Sequence, residues 1–184
     1  MCRIAGIITK EFSTAHLNHQ LTKMCDSMKR GGPDDFGVEI DPVTFVGLGN
    51  RRLSILDLSA AGHQPMFAND KKLVITYNGE IYNFKSLRSE LIANGFNFKT
   101  DTDTEVILKA YQCWGENAFA RLNGIFAFCI HDKVKNLVYL VRDQSGVKPV
   151  YYSSDTKQFS IASEVKAFAH NGSDQAENEN WKIY

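Results

Sequence analysis

The chain has 184 residues, of which 43% are hydrophobic, and its 21 basic side chains balance 21 acidic ones. That length is typical of a single domain, and that much apolar material can bury a core, so the composition is not that of a disordered chain. The zero formal charge gives no support for nucleic acid or a membrane surface as partner, and no apolar run reaches the roughly 20 residues needed to cross a bilayer.

The four cysteines fit neither a disulfide framework nor a zinc site. They include no CxxC pair, and no histidine cluster has the spacing of metal ligands. The apolar run after Met1 is short and is broken by Lys10 and Glu11, unlike the core of a signal peptide. We therefore expect a cytoplasmic protein whose cysteines stay reduced and which holds no metal ion.

The first part of the chain alternates between strand and helix patterns. A helix is predicted over 15–29, where residues such as Leu17 and Leu21 recur at helical spacing. Glycines and a proline over 31–37 end this helix, and a polar loop is expected over 57–70. The strand patterns share largely apolar, β-forming residues and cover 3–9, 43–56 and 72–80, the last running into a loop.

The second part of the chain predicts two helices followed by short strands. Asn83 is placed to cap the first helix, which Gly95 ends. Thr102 and Glu105 form a capping box for the second helix, which Gly115 ends. The strands that follow resemble an antiparallel meander and cover 124–132, 136–143, 148–155 and 158–164, before a short helix over 164–170.

Strand groups separated by helices are typical of an α+β fold. We expect a four-layer αββα sandwich, in which two antiparallel sheets lie between helix layers. Residues 1–170 would form this domain. The polar tail over 171–184 would be a linker, or a truncated boundary to a further domain.

The second residue, Cys2, is a candidate nucleophile. Methionine aminopeptidases remove Met1 when the next side chain is small, which would leave Cys2 with a free α-amine. The amine and the thiol have ordinary pKa values of about 7.7–8.0 and 8.5, so the amine can take the thiol proton directly or through one water. The alternative is a buried structural cysteine, which is how we interpret Cys25, Cys113 and Cys129.

Residues 77–83 contain groups that could support an attack on an amide. Asn78 offers a side-chain amide and Gly79 a backbone N–H to a developing oxyanion. Alone, this Asn-Gly pair is more typical of a hairpin turn, although a helical pattern follows it rather than a returning strand.

Three charged residues could hold a free amino acid. Arg52 is suited to an α-carboxylate, while Glu80 and Asp103 are suited to an α-ammonium. Arg51 and Arg52 are neighbours on a strand, so one can face a site while the other faces solvent. Taken singly, Arg52 is more readily a surface arginine and Asp103 a helix-terminus acid.

A set of segments in fixed order gives the sequence a specific likeness. The segments are MCRIAG, GPDDFG, RRLSILDLSAAGHQPM, YNGEIYN, TDTDTEVIL, LNGIFAF, VRDQSGVKPVYY and IASEVKAF. Over residues 1–168 they resemble the class II glutamine amidotransferase domain, and within it most closely the glutamine-dependent asparagine synthetases. This resemblance implies an N-terminal nucleophile hydrolase fold and hydrolysis of glutamine to glutamate and ammonia, through a thioester on Cys2.

The resemblance also assigns a role to each candidate residue. The family's site residues fall on the nucleophile Cys2, the carboxylate-binding Arg52, the oxyanion donors Asn78 and Gly79, and the ammonium-binding Glu80 and Asp103. Main-chain groups near Ile55 and Leu56 should line the same pocket.

Two departures from the family pattern lie near the nucleophile. The family usually has glycine where this chain has Arg3, and it usually has HRGPD where this chain has RGGPD, so that Gly31 replaces an arginine. One hypothesis is that Arg3 fills the volume this arginine leaves; an Arg3 pointing to solvent, away from residues 30–34, would contradict it. The rival is that Arg3 impairs Cys2 or hinders removal of Met1, leaving a domain kept for binding or docking.

The resemblance implies partners besides the substrate glutamine. Asparagine synthetases carry a longer synthetase domain that uses ATP and magnesium, with an SGGxDS loop that this sequence lacks. The ammonia would pass to such a domain or subunit outside this chain. The sequence does not decide whether its acceptor is aspartate, another acid or a sugar, or whether the protein forms a homodimer. No cofactor is expected in this domain itself. A related cysteine amide hydrolase with another substrate is a weaker alternative.

Overall fold

The computed structural model describes residues 2–11, 13–54, 60–68 and 70–170. Over these ranges two antiparallel sheets carry helices on their outer faces, which confirms the four-layer αββα arrangement. The strands are β1 (Arg3–Thr9), β2 (Asp35–Asp41), β3 (Val46–Arg52), β4 (Met66–Phe67), β5 (Leu73–Ile81), β6 (Gly124–Asp132), β7 (Leu137–Arg142), β8 (Tyr151–Ser154) and β9 (Gln158–Ala162). The helices are α1 (Thr14–Ser27), α2 (Phe84–Ala93) and α3 (Asp103–Trp114), with 3-10 helices at Lys29–Gly31, Ala60–Gly62, Gly115–Arg121 and Val165–His170.

The first sheet has the strand order β2-β3-β1-β9-β8, which places the N-terminal strand at its centre. α1 packs on β1, β2 and β3, so the outer face of this sheet is covered. In the antiparallel register of β1 and β3, Arg3 lies opposite Arg51 and Ile4 opposite Asn50. The beginning of the chain is therefore held beside the end of β3.

The second sheet has the order β4-β5-β6-β7, and β5 pairs with β6 along its whole length. α3 packs on β5 and against α2, forming the outer layer on this side. α3 begins after Thr102, whose side chain accepts the backbone N–H of Glu105, and it ends at Gly115 with a positive φ of 58°. Only this half of the predicted capping box forms, because the Glu105 carboxylate accepts the N–H groups of Lys99 and Thr100 instead. Its first turn is therefore fixed next to β5.

Three apolar layers hold these elements together. The layer between α2, α3 and the second sheet includes Leu91, Ile107 and Phe128, and the layer between α1 and the first sheet includes Leu17, Leu21 and Met24. A smaller layer between the sheets is formed by Val46, Leu48, Val74, Cys129 and Ile161. Full burial of each large apolar side chain contributes about 1.5–3 kcal/mol, so these layers supply most of the favourable free energy of folding.

Several local expectations are wrong. The polar loop predicted over 57–70 contains β4, which pairs with β5, and the strands predicted as an antiparallel meander are divided, with β6 and β7 in the second sheet and β8 and β9 in the first. The irregular segment predicted over 31–37 is shorter than expected, because β2 begins at Asp35. The glycine and acidic residues of β2 are uncommon in strands, so the sequence does not show the alternating pattern that would have predicted it. β5 continues through Asn78 and Gly79 to Ile81, so the Asn-Gly pair is neither in a loop nor a hairpin turn. Asn83 precedes α2 but does not cap it, because its side chain bonds to the backbone of residues 121 and 123.

Within the part of the chain that the structure describes, no helix is long and apolar enough to cross a membrane. The same residues contain no group of three or more His, Cys, Asp or Glu side chains that could hold a metal ion.

Candidate active site

A cleft lies between the start of β1, the end of β3, the second half of β5 and the start of α3. Its lining residues are Cys2, Arg52, Leu53, Gly62, Gln64, Tyr77, Gly79, Glu80, Thr102, Asp103 and Thr104. Five residues predicted from the sequence are thereby brought together, namely Cys2, Arg52, Gly79, Glu80 and Asp103.

Cys2 is half-buried at this cleft, one residue before β1. Its Sγ is 3.6 Å from the carbonyl oxygen of Leu53 and donates to it. Burial raises the pKa of the Cys2 thiol above its ordinary value, and the positive charge of Arg52 acts in the opposite direction. The protonated thiol is therefore the resting form at neutral pH, and a base must remove its proton before it can attack. Met1 lies outside the described residues, so the α-amine as base stays a prediction.

The other cysteines have surroundings that suit structural roles. Cys25 lies in the layer under α1 and Cys129 in the layer between the sheets, and both are fully buried. Burial raises the pKa of each of these two thiols to about 12, which makes them poor nucleophiles. Cys113 is half-buried on α3 and packs against the layer between that helix and the second sheet. None of the three lines the cleft.

Arg52 ends β3 and lines the cleft with a buried side chain. Its guanidinium lies against Gly62, where a Cβ would be only 2.0 Å from Nη2, so a larger residue there would displace the end of the Arg52 side chain. Arg51 faces the opposite side of the sheet, as strand alternation predicts. However, Arg51 is buried against Asp26 and lies 4.3 Å from the ring centroid of Phe36. The expectation that one of the two arginines faces solvent is therefore wrong.

Asp34 holds the chain where it leaves β3. Its backbone N–H donates to the carbonyl oxygen of Arg52 at 3.0 Å, and its carboxylate accepts the N–H of Ser54 at 2.8 Å. These two bonds fix the turn that carries Arg52 into the cleft. The predicted pocket residues Ile55 and Leu56 follow directly but lie outside the described residues.

Asp103 lies in the first turn of α3, where the helix dipole favours a carboxylate. Its Oδ2 accepts the hydroxyl of Tyr77 at 2.6 Å and the backbone N–H of Ile81 at 3.0 Å. Burial raises the pKa of Asp103 above its ordinary value, and the hydrogen bond from Tyr77 opposes that rise. Burial and the nearby Asp103 charge raise the pKa of Tyr77, so its hydroxyl remains a donor.

β5 carries the residues predicted as oxyanion donors and one of the predicted ammonium partners. Gly79 and the exposed Glu80 line the cleft, but Asn78 is not among the lining residues. The Asn78 side chain is buried, and its Oδ1 has no hydrogen-bond partner among the described residues. Leaving a buried acceptor without a hydrogen-bond partner lowers the stability of the fold by about 1–3 kcal/mol. Gly79 is also required by packing, since a Cβ there would be 2.3 Å from the carbonyl oxygen of Ile125.

A buried polar network beneath the cleft was not anticipated from the sequence. Gln64 Oε1 accepts the N–H of Tyr77 at 2.7 Å and Asn50 Nδ2 at 3.2 Å. Asn50 also donates to Thr76 Oγ1 at 3.0 Å, and Thr76 donates to the carbonyl oxygen of Gly49 at 2.9 Å. These bonds connect β3 of the first sheet to β5 of the second. The sequence feature that could have predicted this network is the presence of two polar residues, Asn50 and Thr76, inside strands of mainly apolar pattern.

Arg3 does not point to solvent. Its guanidinium lies against Gly31, and it forms an ion pair with Glu164. This is the placement expected if Arg3 fills the volume that a larger side chain at position 31 would occupy.

Comparisons with known proteins identify relatives of this chain. The family model for the glutamine amidotransferase domain matches residues 1–183. Asparagine synthetase (glutamine-hydrolyzing) 1 of Bacillus subtilis is 41% identical over 169 residues, covering 91% of this chain and 26% of that protein. Amidase chyE of Penicillium rubens is 36% identical over 155 residues, covering 84% of this chain and 23% of that protein.

The solved structures add a likeness of fold. Glutamine phosphoribosylpyrophosphate amidotransferase from B. subtilis, complexed with ADP and GMP, superposes with a TM-score of 0.75, covering 93% of this chain and 44% of that one. At 20% identity this likeness concerns the fold alone. The chain spans between 22% and 34% of the length of the curated relatives it matches.

Proposed function

Because the chain belongs to the glutamine amidotransferase domain family and has the fold of the N-terminal nucleophile hydrolases, we propose that it hydrolyses glutamine to glutamate and ammonia. The observation that carries the proposal is that Cys2, Arg52 and Asp103, which are far apart in the sequence, line one cleft. A nucleophile, a cation and an anion around one space match the amide, the carboxylate and the ammonium of free glutamine.

The proposed reaction proceeds through a thioester on Cys2. Once Met1 has been removed, the α-amine of Cys2 takes the thiol proton, and the thiolate attacks the side-chain amide carbon of glutamine. The backbone N–H of Gly79, which lines the cleft, and the side-chain Nδ2 of Asn78, which is buried directly before it on β5, would donate hydrogen bonds to the oxyanion of the tetrahedral intermediate. The C–N bond then breaks, and the leaving nitrogen takes the proton from the amine and departs as ammonia. Water attacks the thioester, which releases glutamate and restores the thiol.

Charged groups around the cleft would select a free amino acid. Arg52 can bind the α-carboxylate with two parallel hydrogen bonds, and its buried side chain weakens competition from water. Asp103 and Glu80 would receive the α-ammonium. An N-acylated glutamine lacks that ammonium and would leave the buried Asp103 without its partner, so the site should reject it.

We assign the use of the ammonia to a synthetase domain or subunit outside this chain. The proposal rests on relatives such as the B. subtilis asparagine synthetase, of which this chain covers only 26%. ATP and magnesium would be needed there, where the acceptor is activated. The chain matches both an asparagine synthetase and a protein named as an amidase, so we keep aspartate as one candidate acceptor among several.

The substrate clamp is tested by replacing Arg52 with lysine. Arg52→Lys should raise the KM for glutamine by about 10- to 100-fold, because lysine keeps the charge but loses a charge-assisted hydrogen bond. The matched control is Arg121→Lys, because Arg121 pairs with Glu90 on the outer helix layer and should leave KM unchanged. Equal KM values in the two variants, or hydrolysis of N-acetylglutamine as fast as that of glutamine, would contradict the clamp.

A further inference from the structure

Arg3 is held between three groups at the start of β1. Its Nε pairs with the carboxylate of Glu164, and its Nη1 donates to the carbonyl oxygen of Cys2 at 3.1 Å. A Cβ on Gly31 would lie 2.5 Å from the Nε and Cζ of Arg3. The guanidinium therefore occupies the volume that any side chain at position 31 would need.

Glu164 is fixed in place by the pairing that holds β1. The neighbouring Ser163 accepts the N–H of Ile4 on its Oγ at 2.9 Å, and its own N–H donates to the carbonyl oxygen of Ile4 at 2.9 Å. Although burial would raise it, hydrogen bonds and positive charge from Lys166 and Arg3 hold the pKa of Glu164 below its ordinary value. Glu164 is therefore ionised at neutral pH and anchors Arg3 from the end of β9.

From these contacts we propose that Arg3 is a positioning residue for Cys2. The carbonyl that Arg3 binds belongs to the peptide unit joining Cys2 to β1. Fixing the rotation of this unit fixes the direction in which the Cys2 Cα presents its amine and its thiol. The inference rests on the proposed function, because this orientation matters most if the amine and thiol act together in an attack on glutamine.

Arg3 acts through geometry rather than by facing the substrate. It is not among the residues that line the cleft, and its charge is balanced by Glu164. Its guanidinium reaches the Cys2 carbonyl while it lies between Glu164 and Gly31. Gly31 leaves room for the Arg3 guanidinium, which a larger side chain at position 31 would displace.

The test exchanges the two residues. Arg3→Gly should lower kcat for glutamine hydrolysis by about 10- to 100-fold with KM little changed, as expected for a misplaced nucleophile. Gly31→Arg alone should also lower kcat, because its side chain enters the volume of Arg3. The double variant Arg3→Gly/Gly31→Arg should recover most of the lost kcat, because an arginine from position 31 can reach Glu164 and the Cys2 carbonyl. Arg30→Gly, in which an exposed neighbouring arginine is removed, is the matched control and should leave kcat unchanged.

An unchanged kcat in Arg3→Gly, or a double variant no faster than Arg3→Gly, would overturn the proposal. Should Arg3→Gly not fold, the double variant is compared with the native protein and should have a similar kcat. Glu164→Gln is then the milder single variant, and it should also lower kcat. If the native chain releases no ammonia, the proposed function fails, and Arg3 is then tested by alkylation of Cys2 with iodoacetamide, followed by peptide mass spectrometry. Alkylation should proceed at a different rate in Arg3→Gly, because the thiol is presented in another direction, and return to the native rate in the double variant; equal rates in all three proteins would overturn the role of Arg3.

Discussion

Asp103 shows how neighbouring groups prepare a single residue for binding. One of its oxygens, Oδ2, is already occupied by the hydroxyl of Tyr77 and the N–H of Ile81. These two donors fix the carboxylate plane, so that its orientation does not depend on the substrate. The site thus contains a carboxylate that is oriented before glutamine arrives, which reduces the entropy lost on binding.

Removing the hydroxyl of Tyr77 should loosen this carboxylate. Tyr77→Phe is expected to raise the KM for glutamine about tenfold, equivalent to about 1.4 kcal/mol, with kcat unchanged. Tyr139→Phe is the matched control, because the Tyr139 hydroxyl bonds to Glu116 away from the cleft. A KM that changes equally in both variants, or a loss confined to kcat, would show that Tyr77 does not orient Asp103.

The same carboxylate makes glutamine binding depend on pH. Asp103 can pair with the α-ammonium only when it is ionised, and burial raises its pKa above the ordinary value. KM should therefore be high at acidic pH and fall as pH rises through this raised pKa. Tyr77→Phe removes a donor that favours the charged form, so its KM profile should move to higher pH. A KM profile that does not move between native protein and Tyr77→Phe would contradict this assignment.

At the residue scale, sequence reasoning identified side chains whose chemistry is evident from their type. Cys2, Arg52 and Asp103 stand out because a thiol, a guanidinium and a carboxylate occur in segments that suit them to a site. Tyr77 and Gln64 could not be predicted, because a tyrosine in a strand and a glutamine in a loop usually have packing or solvent-facing roles. Their function depends on contacts that only the folded chain creates.

At the scale of elements, α1 lies unusually close to β3. A Cβ on Gly49 would be 2.5 Å from Cys25 Sγ, and one on Gly47 would be 3.1 Å from Leu21 Cδ2. The two glycines let the helix approach the sheet that carries Arg52. This close packing supports the end of β3 from its outer face.

Adding a methyl group at Gly49 should disturb this contact. Gly49→Ala is expected to lower the free energy of unfolding by about 1–3 kcal/mol, because the sulfur of Cys25 sits in a filled layer and has little room to move. Gly47→Ala is the matched control with a smaller expected loss, since its one tight contact would be with the end of the Leu21 side chain at 3.1 Å. Urea unfolding of both variants makes the comparison, and a loss at Gly49 no larger than at Gly47 would contradict this account.

Most elements could be predicted because their patterns are local. α3 combines helical spacing, a capping threonine at Thr102 and a terminal glycine, and the helix forms between these two predicted ends. The two errors that affect the site have long-range causes. β2 forms because β3 offers an edge to pair with, and β5 extends through Asn78 and Gly79 because β6 pairs with it to Ile81.

At the scale of the whole molecule, the cleft exists only when the sheets pack together. Cys2 and Arg52 come from the first sheet, Glu80 from the second, and Asp103 from the helix outside the second sheet. The sequence predicted the four layers, but it could not predict the polar network around Asn50 that joins the sheets under the cleft. A substitution that weakens the packing between the two sheets is therefore expected to displace the site residues as well as to destabilise the fold.

Cys2 is proposed to hydrolyse glutamine in this cleft. The most direct measurement is the formation of glutamate and ammonia by the native protein, whose first residue is established by intact mass, alongside Cys2→Ala. Protein beginning at Cys2 should form the two products in equal amounts, and Cys2→Ala should form neither above background. Equal rates in the native protein and in Cys2→Ala would contradict it.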